Sequence, residues 1–263
     1  MKSSYLTSHI DPEGRATLSL NRPDLHNAFD DALIAALTEE LRCLEMDPAV
    51  RTVFLAGEGK SFSAGADLAW MRRMADYTEE ENRVDALALA ELMRTLDTLA
   101  KPTIAMIQGA AFGGGVGLVA CCDIALAVPS ALFCLSEVRL GLIPAVISPY
   151  VVAAIGPRAA RRYFLTAERF DADEACRVGL VHEVVSEGML EKRARQVSEK
   201  ILGNGPTAMA EAKALAASVA RGPLDKEMIA DTADRIARIR ASAEGREGLS
   251  AFLEKRQPSW VKG

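Results

Sequence analysis

The chain reads as an α/β protein, parallel strands joined by helical crossovers, on three features. Apolar runs of strand length at residues 52–56, 103–108 and 124–128 alternate with segments whose apolar residues recur at helical spacing. Glycines collect where strand gives way to helix, at 59–66 and 113–117. The 263 residues are 49% apolar and 25% charged, which suits a globular core without disulfide or metal staples. Surface scaling then predicts roughly 11,000 Å² exposed when folded.

Taken in order, residues 17–20 form a short strand that Asn21-Arg22-Pro23 ends, because proline has no N–H to pair. Asp30 and Asp31 open a helix with Leu33, Leu37, Leu41 and Leu44 on one face, and Asp47-Pro48 stops it. The buried strand 52–56 ends at Gly57, a glycine- and serine-rich loop covers 59–66, and a helix starts near Leu68. Residues 79–100 make a long helix with an apolar stripe of Leu89, Leu92, Leu96 and Leu99. Strand 103–108, helix 114–122 and strand 124–128 follow. Beyond about Leu132 the signals turn mostly helical, with starts at Pro157, Asp171 and Pro206 and a stripe of Ile229, Ala233, Ile236 and Ile239. The Gly203-Asn204-Gly205-Pro206 break divides an α/β core, 1–203, from a helical C-terminal piece, 204–263. That piece is too small for a core of its own, so it packs on the first or on a neighbouring subunit.

Several function classes drop out. With 31 basic and 36 acidic side chains the formal charge is −5, which argues against nucleic acid as a partner. Residues 1–8 show no apolar segment of a secretory signal. Residues 102–122 are uncharged and long enough to span a bilayer, but Gln108 and five glycines interrupt them and Lys101 and Asp123 fence them. Strand, turn and buried helix account for that stretch better than a membrane span. Three histidines (His9, His26, His182) and no metal-ligand spacing leave no metal site to expect. The five cysteines (Cys43, Cys121, Cys122, Cys134, Cys176) form no CxxC pair and read as reduced core thiols of a cytoplasmic protein.

The glycine run at 113–117 is the first chemical signal. It fails the dinucleotide fingerprint, because Leu118 stands where the third glycine belongs, and it lacks the Gly-Lys-Ser/Thr of a phosphate loop. Tight helix–sheet packing is the plain reading. The other rests on bare N–H groups at a helix start, where the helix dipole favours negative charge. Gly65-Ala66-Asp67 also turns from loop to helix, so one N–H from each segment can converge on a carbonyl oxygen. Such an oxyanion hole is typically worth about 2.7–4 kcal/mol per donor.

These segments, in order, resemble the enoyl-CoA hydratase/isomerase (crotonase) superfamily. The matching stretches are Asn21-Arg22-Pro23 with Asn27-Ala28, residues 61–68 (SFSAGADL), 101–105 (KPTIA), 108–115 (QGAAFGGG), 122–124 (CDI), 136–144 (SEVRLGLIP) and 252–256 (FLEKR). The resemblance implies a spiral of ββα units with a helical C-terminal subdomain, assembly as a homotrimer or dimer of trimers, and an acyl-CoA substrate that brings its own coenzyme A, with no further cofactor. It implies oxyanion donors at the N–H groups of Ala66 and Gly114. It also implies coenzyme A contacts from Leu25, His26, Ala64, Gly65, Ala66, Asp67 and Leu68, with Phe252 and Lys255 closing a neighbour's pocket.

One departure matters. Hydratases of this family usually carry a glutamate just after the triple glycine and a second in the later Glu-x-x-x-Gly segment. Here the first position is Gly117, and the second is kept as Glu137, four residues before Gly141. Two carboxylates normally share the proton transfers of hydration, so Glu137 alone suits simple proton shuttling, as in the family's enoyl-CoA isomerases. Residues 64–71, 110–122 and 135–152 nevertheless look like the bacterial methylglutaconyl-CoA hydratase-type branch, related to enzymes acting on γ-carboxygeranoyl- and isohexenylglutaconyl-type thioesters. Such substrates carry a carboxylate able to orient water in place of the missing side chain. The resemblance therefore favours hydration of a branched or carboxylated enoyl-CoA over isomerisation, with a non-catalytic coenzyme A-binding protein as the competing class.

The remaining candidates have simpler readings beside the functional ones. Asp67 suits a helix N-cap, Asp123 the satisfaction of backbone groups, and His182 a structural place. Ser136 has no histidine nearby in sequence to activate it. Arg139, Arg158, Arg161 and Arg162 are candidates for an acidic acyl group, or for ion-paired faces. Trp70 and Met71 are candidates for the acyl pocket or the core.

Overall fold

The computed structural model describes residues 5–261. Two sheets carry the chain. The larger runs β1 (Leu6–Ile10), β2 (Arg15–Leu20), β3 (Thr52–Gly57), β5 (Thr103–Ile107), β7 (Ile124–Ala127) and β10 (Glu183–Val184) in spatial order. The smaller runs β4 (Ser61–Ser63), β6 (Ala110–Phe112), β8 (Leu132–Cys134) and β9 (Phe170–Asp171). All neighbours pair parallel except β1 with β2 and β8 with β9.

The repeat behind this order is a ββα turn. β3 and β4 lead into α2 (Leu68–Met74) and α3 (Glu79–Asp97), β5 and β6 into α4 (Gly114–Cys121), and β7 and β8 into α5 (Ser148–Thr166). Each turn gives one strand to each sheet and then a helix, the spiral that the resemblance implies. β3, β5 and β7 are continuous apolar runs because the large sheet is covered on both faces. On one face Leu55, Ala105 and Ile107 join the main core with α1 (Asp31–Met46) and α3; on the other, Phe54, Ile104, Met106 and Leu126 pack under Ala194 of α7 (Leu190–Leu202).

The helices start and stop for local reasons. Asp30 caps α1 by accepting from Leu33 N–H at 2.8 Å, and Leu33, Leu37, Leu41 and Leu44 are its buried stripe. Thr78 and Glu81 form a capping box at α3, which ends at Asp97, three residues before the expected stop. The helix expected from Pro157 begins earlier, at Ser148; Gly156, at φ 75°, breaks the backbone, and Pro157 restarts it. Asp171 caps α6 (Ala172–Val178). Three of the expected core thiols, Cys121, Cys122 and Cys134, are buried, whereas Cys43 is exposed on the outer face of α1 and Cys176 is half-buried. Among the described residues no helix is long and apolar enough to cross a membrane, and residues 102–122 resolve into β5, β6 and α4.

The tail is α8 (Pro206–Arg221), α9 (Lys226–Ala241) and α10 (Ala243–Leu253). Glu244 at the start of α10 accepts from the free N–H groups of Thr207 and Ala208 at 3.0 and 2.8 Å, capping α8 from outside. Lys213 of α8 meets Asp123 at 2.9 Å, and the same carboxylate accepts from Thr103 N–H and Oγ1–H. Asp123 thus serves backbone and helix together. α9 buries none of its side chains, and Leu249, Phe252 and Leu253 stand exposed on α10. The chain exposes 14,216 Å², more than the roughly 11,000 Å² that scaling gives a compact monomer of this length.

Candidate active site

Three adjacent strands of the small sheet end at the same place. β4 runs on to Ala66, β6 to Gly114 and β8 to Glu137, and the parallel pairing β4–β6–β8 brings these three residues to one edge. Sites at the carboxyl ends of parallel strands are a general consequence of such sheets.

The loop at 64–67 is held from one side by residues 26–29. Phe29 N–H donates to Gly65 O and Phe29 O accepts from Asp67 N–H, each at 2.7 Å, while Ala64 N–H donates to His26 O at 2.9 Å. This parallel bridge turns Ala66's own N–H away from Phe29. Gly65, at φ 92°, lets the loop lie against the next one; a Cβ there would come within 3.1 Å of Phe112 O. Gly113, at φ 50°, donates to Cys134 O at 2.9 Å and delivers the chain to Gly114, the first residue of α4, whose N–H has no carbonyl one turn earlier to reach. Among the described residues neither Ala66 N–H nor Gly114 N–H donates to a protein acceptor.

Glu137 opens a 3₁₀ turn, Glu137–Leu140, that Gly141 ends at φ 73°. Its Oε1 lies 3.3 Å from where a Cβ on Gly113 would sit, so glycine there gives the carboxylate room. Its Oε2 is buried without a hydrogen-bond partner. Burial pushes the carboxyl above its ordinary range, against a smaller downward pull from its own backbone N–H. An acceptor left unsatisfied against two unpaired donors, in one concavity, marks a site rather than a surface turn.

These groups line a cavity of about 490 Å³. Ala64, Gly65, Ala66, Leu68, Gly114, Glu137, Trp70 and Met71, all expected from the sequence, are on its wall. Phe29, Leu142, Ile143 and Ile147 line it as well and were not expected; the exposure of Leu142 and Ile143, 53% and 73%, comes from their place at its rim. The only sequence sign of them is an apolar Leu-Ile-Pro in a loop.

Other candidates lie elsewhere. Asp67 caps α2, accepting from Ala69 and Trp70 N–H, and pairs with Arg22 at 3.1 Å; burial opposes its ionisation, but those bonds hold its carboxyl below the usual range. Its side chain does not line the cavity, and neither do Leu25, His26, Phe252 and Lys255. His26 is exposed with Nδ1 3.0 Å from Ser61 Oγ, and His182 accepts from Ala125 N–H at 3.1 Å, a structural bond. The arginines considered for an acidic acyl group are not at this site. Arg158, Arg161 and Arg162 line a separate cavity with Tyr163 and Arg177, because the kink at Gly156 separates them from the start of α5, and Arg139 donates to Ala167 O at 2.6 Å. No group of three or more His, Cys, Asp or Glu able to hold a metal occurs among the described residues.

A spiral of ββα turns with two amides lacking protein acceptors and a buried glutamate at one strand edge is the arrangement that the resemblance to the crotonase superfamily implies. The sequence matches the family description "Enoyl-CoA hydratase/isomerase" over residues 11–263. It is 34% identical over 251 residues to the crotonyl-CoA hydratase of Syntrophomonas wolfei, covering 95% of each chain. An enoyl-CoA hydratase from Shewanella pealeana superposes with a TM-score of 0.95 at 49% identity, covering 97% of this chain and 96% of that one. Pseudomonas aeruginosa AtuE superposes with a TM-score of 0.93 at 36% identity, covering 98% and 100%. The chain belongs to the enoyl-CoA hydratase/isomerase family.

Two measurements probe the site. A Cβ on Gly114 would come within 3.0 Å of Cε2 of Phe29, which is 2% exposed, so Gly114→Ala forces the ring or the helix start to shift and is expected to displace the donor. Its kcat is expected to fall by roughly 10²-fold while coenzyme A affinity changes little, the mark of a donor used mainly in the transition state; unchanged turnover in a folded variant removes Gly114 from the site. For Glu137, a folded-state pKa raised above the unfolded one means the ionised form costs stability, and the cost appears as pH rises through the raised value. Glu137→Gln should therefore melt higher than the parent at pH 7.5, with the gap closing on acidification towards the ordinary glutamate range. A lower Tm for the glutamine variant at pH 7.5 contradicts the unsatisfied-carboxylate reading.

Proposed function

We propose that this protein hydrates an α,β-unsaturated acyl-CoA thioester. Polarisation of the thioester carbonyl by Ala66 and Gly114 N–H makes the β-carbon electrophilic; water adds there and loses one proton to solvent or to a carboxylate of the substrate, and Glu137 delivers one proton to the α-carbon of the enolate whose oxygen the two amides hold. The observation that carries this reading is the orphaned Oε2 of Glu137, buried beside two amides that also lack protein partners. Such an arrangement stabilises charge that develops only during reaction. The names of the relatives, hydratases of crotonyl-CoA and other enoyl-CoAs, support the same reaction class.

The finer reading is a branched or carboxylated acyl group, such as 3-methylglutaconyl. The cavity wall is apolar at Leu142, Ile143, Val146 and Ile147, which suits a branched chain, and it includes no Lys, Arg or His among the described residues. A substrate carboxylate there has no cation to pair with and keeps its lone pairs for water, and partial desolvation raises its basicity. It can thus orient the attacking water that no second protein carboxylate reaches. Isomerisation of a 3-enoyl-CoA by Glu137 alone is the second reading, favoured by Gly117 itself. Exposed Phe252 and Leu253, with Lys255 just beyond, support assembly as a trimer or a dimer of trimers in which the tail of one subunit helps close the coenzyme A site of another.

A thioester panel tests the reading. Crotonyl-, 3-methylglutaconyl- and carboxygeranoyl-CoA, and a 3-enoyl-CoA, are followed by ultraviolet absorbance of the conjugated thioester. Loss of conjugation, fastest in kcat/KM for a carboxylated substrate, is expected. Equal kcat/KM for crotonyl-CoA removes the substrate carboxylate from the mechanism; gain of conjugation from the 3-enoyl-CoA, with no hydration of any 2-enoyl-CoA, replaces hydration by isomerisation.

A further inference from the structure

Gly117 sits in α4 but does not line the cavity; Ile147 does. A Cβ built on Gly117 would run into Cγ2 of Ile147 well inside van der Waals contact, would stand 3.0 Å from Ile147 Cβ, and would also meet Met93 Cε at 3.1 Å. The Cα–Cβ direction at 117 therefore points at Ile147, behind the cavity wall. The two neighbours differ in how far they can yield. Met93 is an unbranched thioether whose end can swing aside. Ile147 is β-branched and stiff, 3% exposed, and its carbonyl accepts from Tyr150 and Val151 N–H at 3.2 and 3.0 Å as α5 begins.

We propose that Ile147 is a specificity-determining residue that keeps this cavity to one protein carboxylate: its side chain fills the path by which an acidic side chain at 117 would reach the reacting atoms, and puts an apolar wall there instead. The proposal rests on the hydratase reading for its kinetic consequence, but not for its packing. Any variant that restores an acid at 117 must also remove Ile147, and a substrate without a carboxylate of its own gains most from the exchange.

The test is a double-mutant cycle with two readouts. Without substrate, Gly117→Ala should lower Tm by several degrees in the parent and by clearly less in the Ile147→Ala background, which lacks the offending Cγ2. With crotonyl-CoA, Gly117→Glu combined with Ile147→Ala should hydrate at least tenfold faster than Ile147→Ala alone, whereas Gly117→Glu in the parent should gain nothing. If the combined variant does not fold, Ile147→Gly, which removes the remaining 3.0 Å contact with Cβ, takes its place. Additive Tm losses, a single Gly117→Glu variant as fast as the pair, or a folded pair no faster than Ile147→Ala overturns the proposal. Failure of the unsubstituted protein to hydrate any thioester bears on the functional reading alone, since the Tm cycle is read without substrate.

Discussion

The site depends on the interlock of residues 22–29 with residues 58–67. Arg22, half-buried, lies between two carboxylates, Asp30 at 2.9 Å and Asp67 at 3.1 Å, which are also the N-caps of α1 and α2. Asn27, fully buried, donates to Glu58 O and Ser61 O, Ser63 Oγ–H donates to Asn27 O, and Phe29 bridges Ala66. A pair partly shielded from solvent adds little net stability, but removing one partner leaves the other charge uncompensated. What the network fixes is the direction of one peptide N–H. With Gly65 O and Asp67 N–H both bonded to Phe29, the Ala66 amide between them has no protein acceptor among the described residues, and Ala66 lines the cavity.

Against that rigid frame the reacting groups are left unsatisfied. Two amides lack protein acceptors and one carboxylate oxygen lacks a donor, whereas buried polar side chains such as Asn27, Thr103 and Ser198 are paired. Unpaired buried polar groups each cost stability in the resting protein. They carry no reorganisation cost when negative charge appears between them, which is how such sites lower a barrier. Gly113 serves both ends of the design, since its positive φ starts α4 with free N–H groups and its missing side chain leaves space for Glu137. The cavity wall is apolar at Val146 and Ile147, and Glu137 is the carboxylate that lines it among the described residues.

Much of this was legible in the sequence, for physical reasons that also explain what was not. The strands of the large sheet announced themselves because burial on both faces makes them unbroken apolar runs, and helices α1, α2 and α3 because their caps and stripes are local. β4, β6 and β8 have three residues each, too short for alternation to register, so residues 59–66 read as a loop although Ser61–Ser63 pairs with β6. Those short strands bring the site together, and only the family resemblance located Ala66, Gly114 and Glu137 in common. The role of Asp67 as a cap was readable from its place before an apolar helix. Ile147 was not, because its significance lies in the Cβ it would meet thirty residues back in the chain. The arginines of α5 follow the simpler of their two readings: beyond the break at Gly156, Arg162 pairs with Glu168 at 2.7 Å.

The central claim is that Glu137 transfers the proton at the α-carbon of a thioester whose oxygen the two amides hold. Exchange of that proton with solvent deuterium in a saturated acyl-CoA isolates the step, because it needs base and oxyanion hole but no water addition. Glu137→Gln keeps shape and hydrogen bonding while losing the ability to accept the proton. Exchange is expected to fall by at least about 10²-fold in this variant, the usual scale of general base catalysis, with coenzyme A affinity held within a few-fold. Exchange at the parent rate would contradict it and move the base to another group.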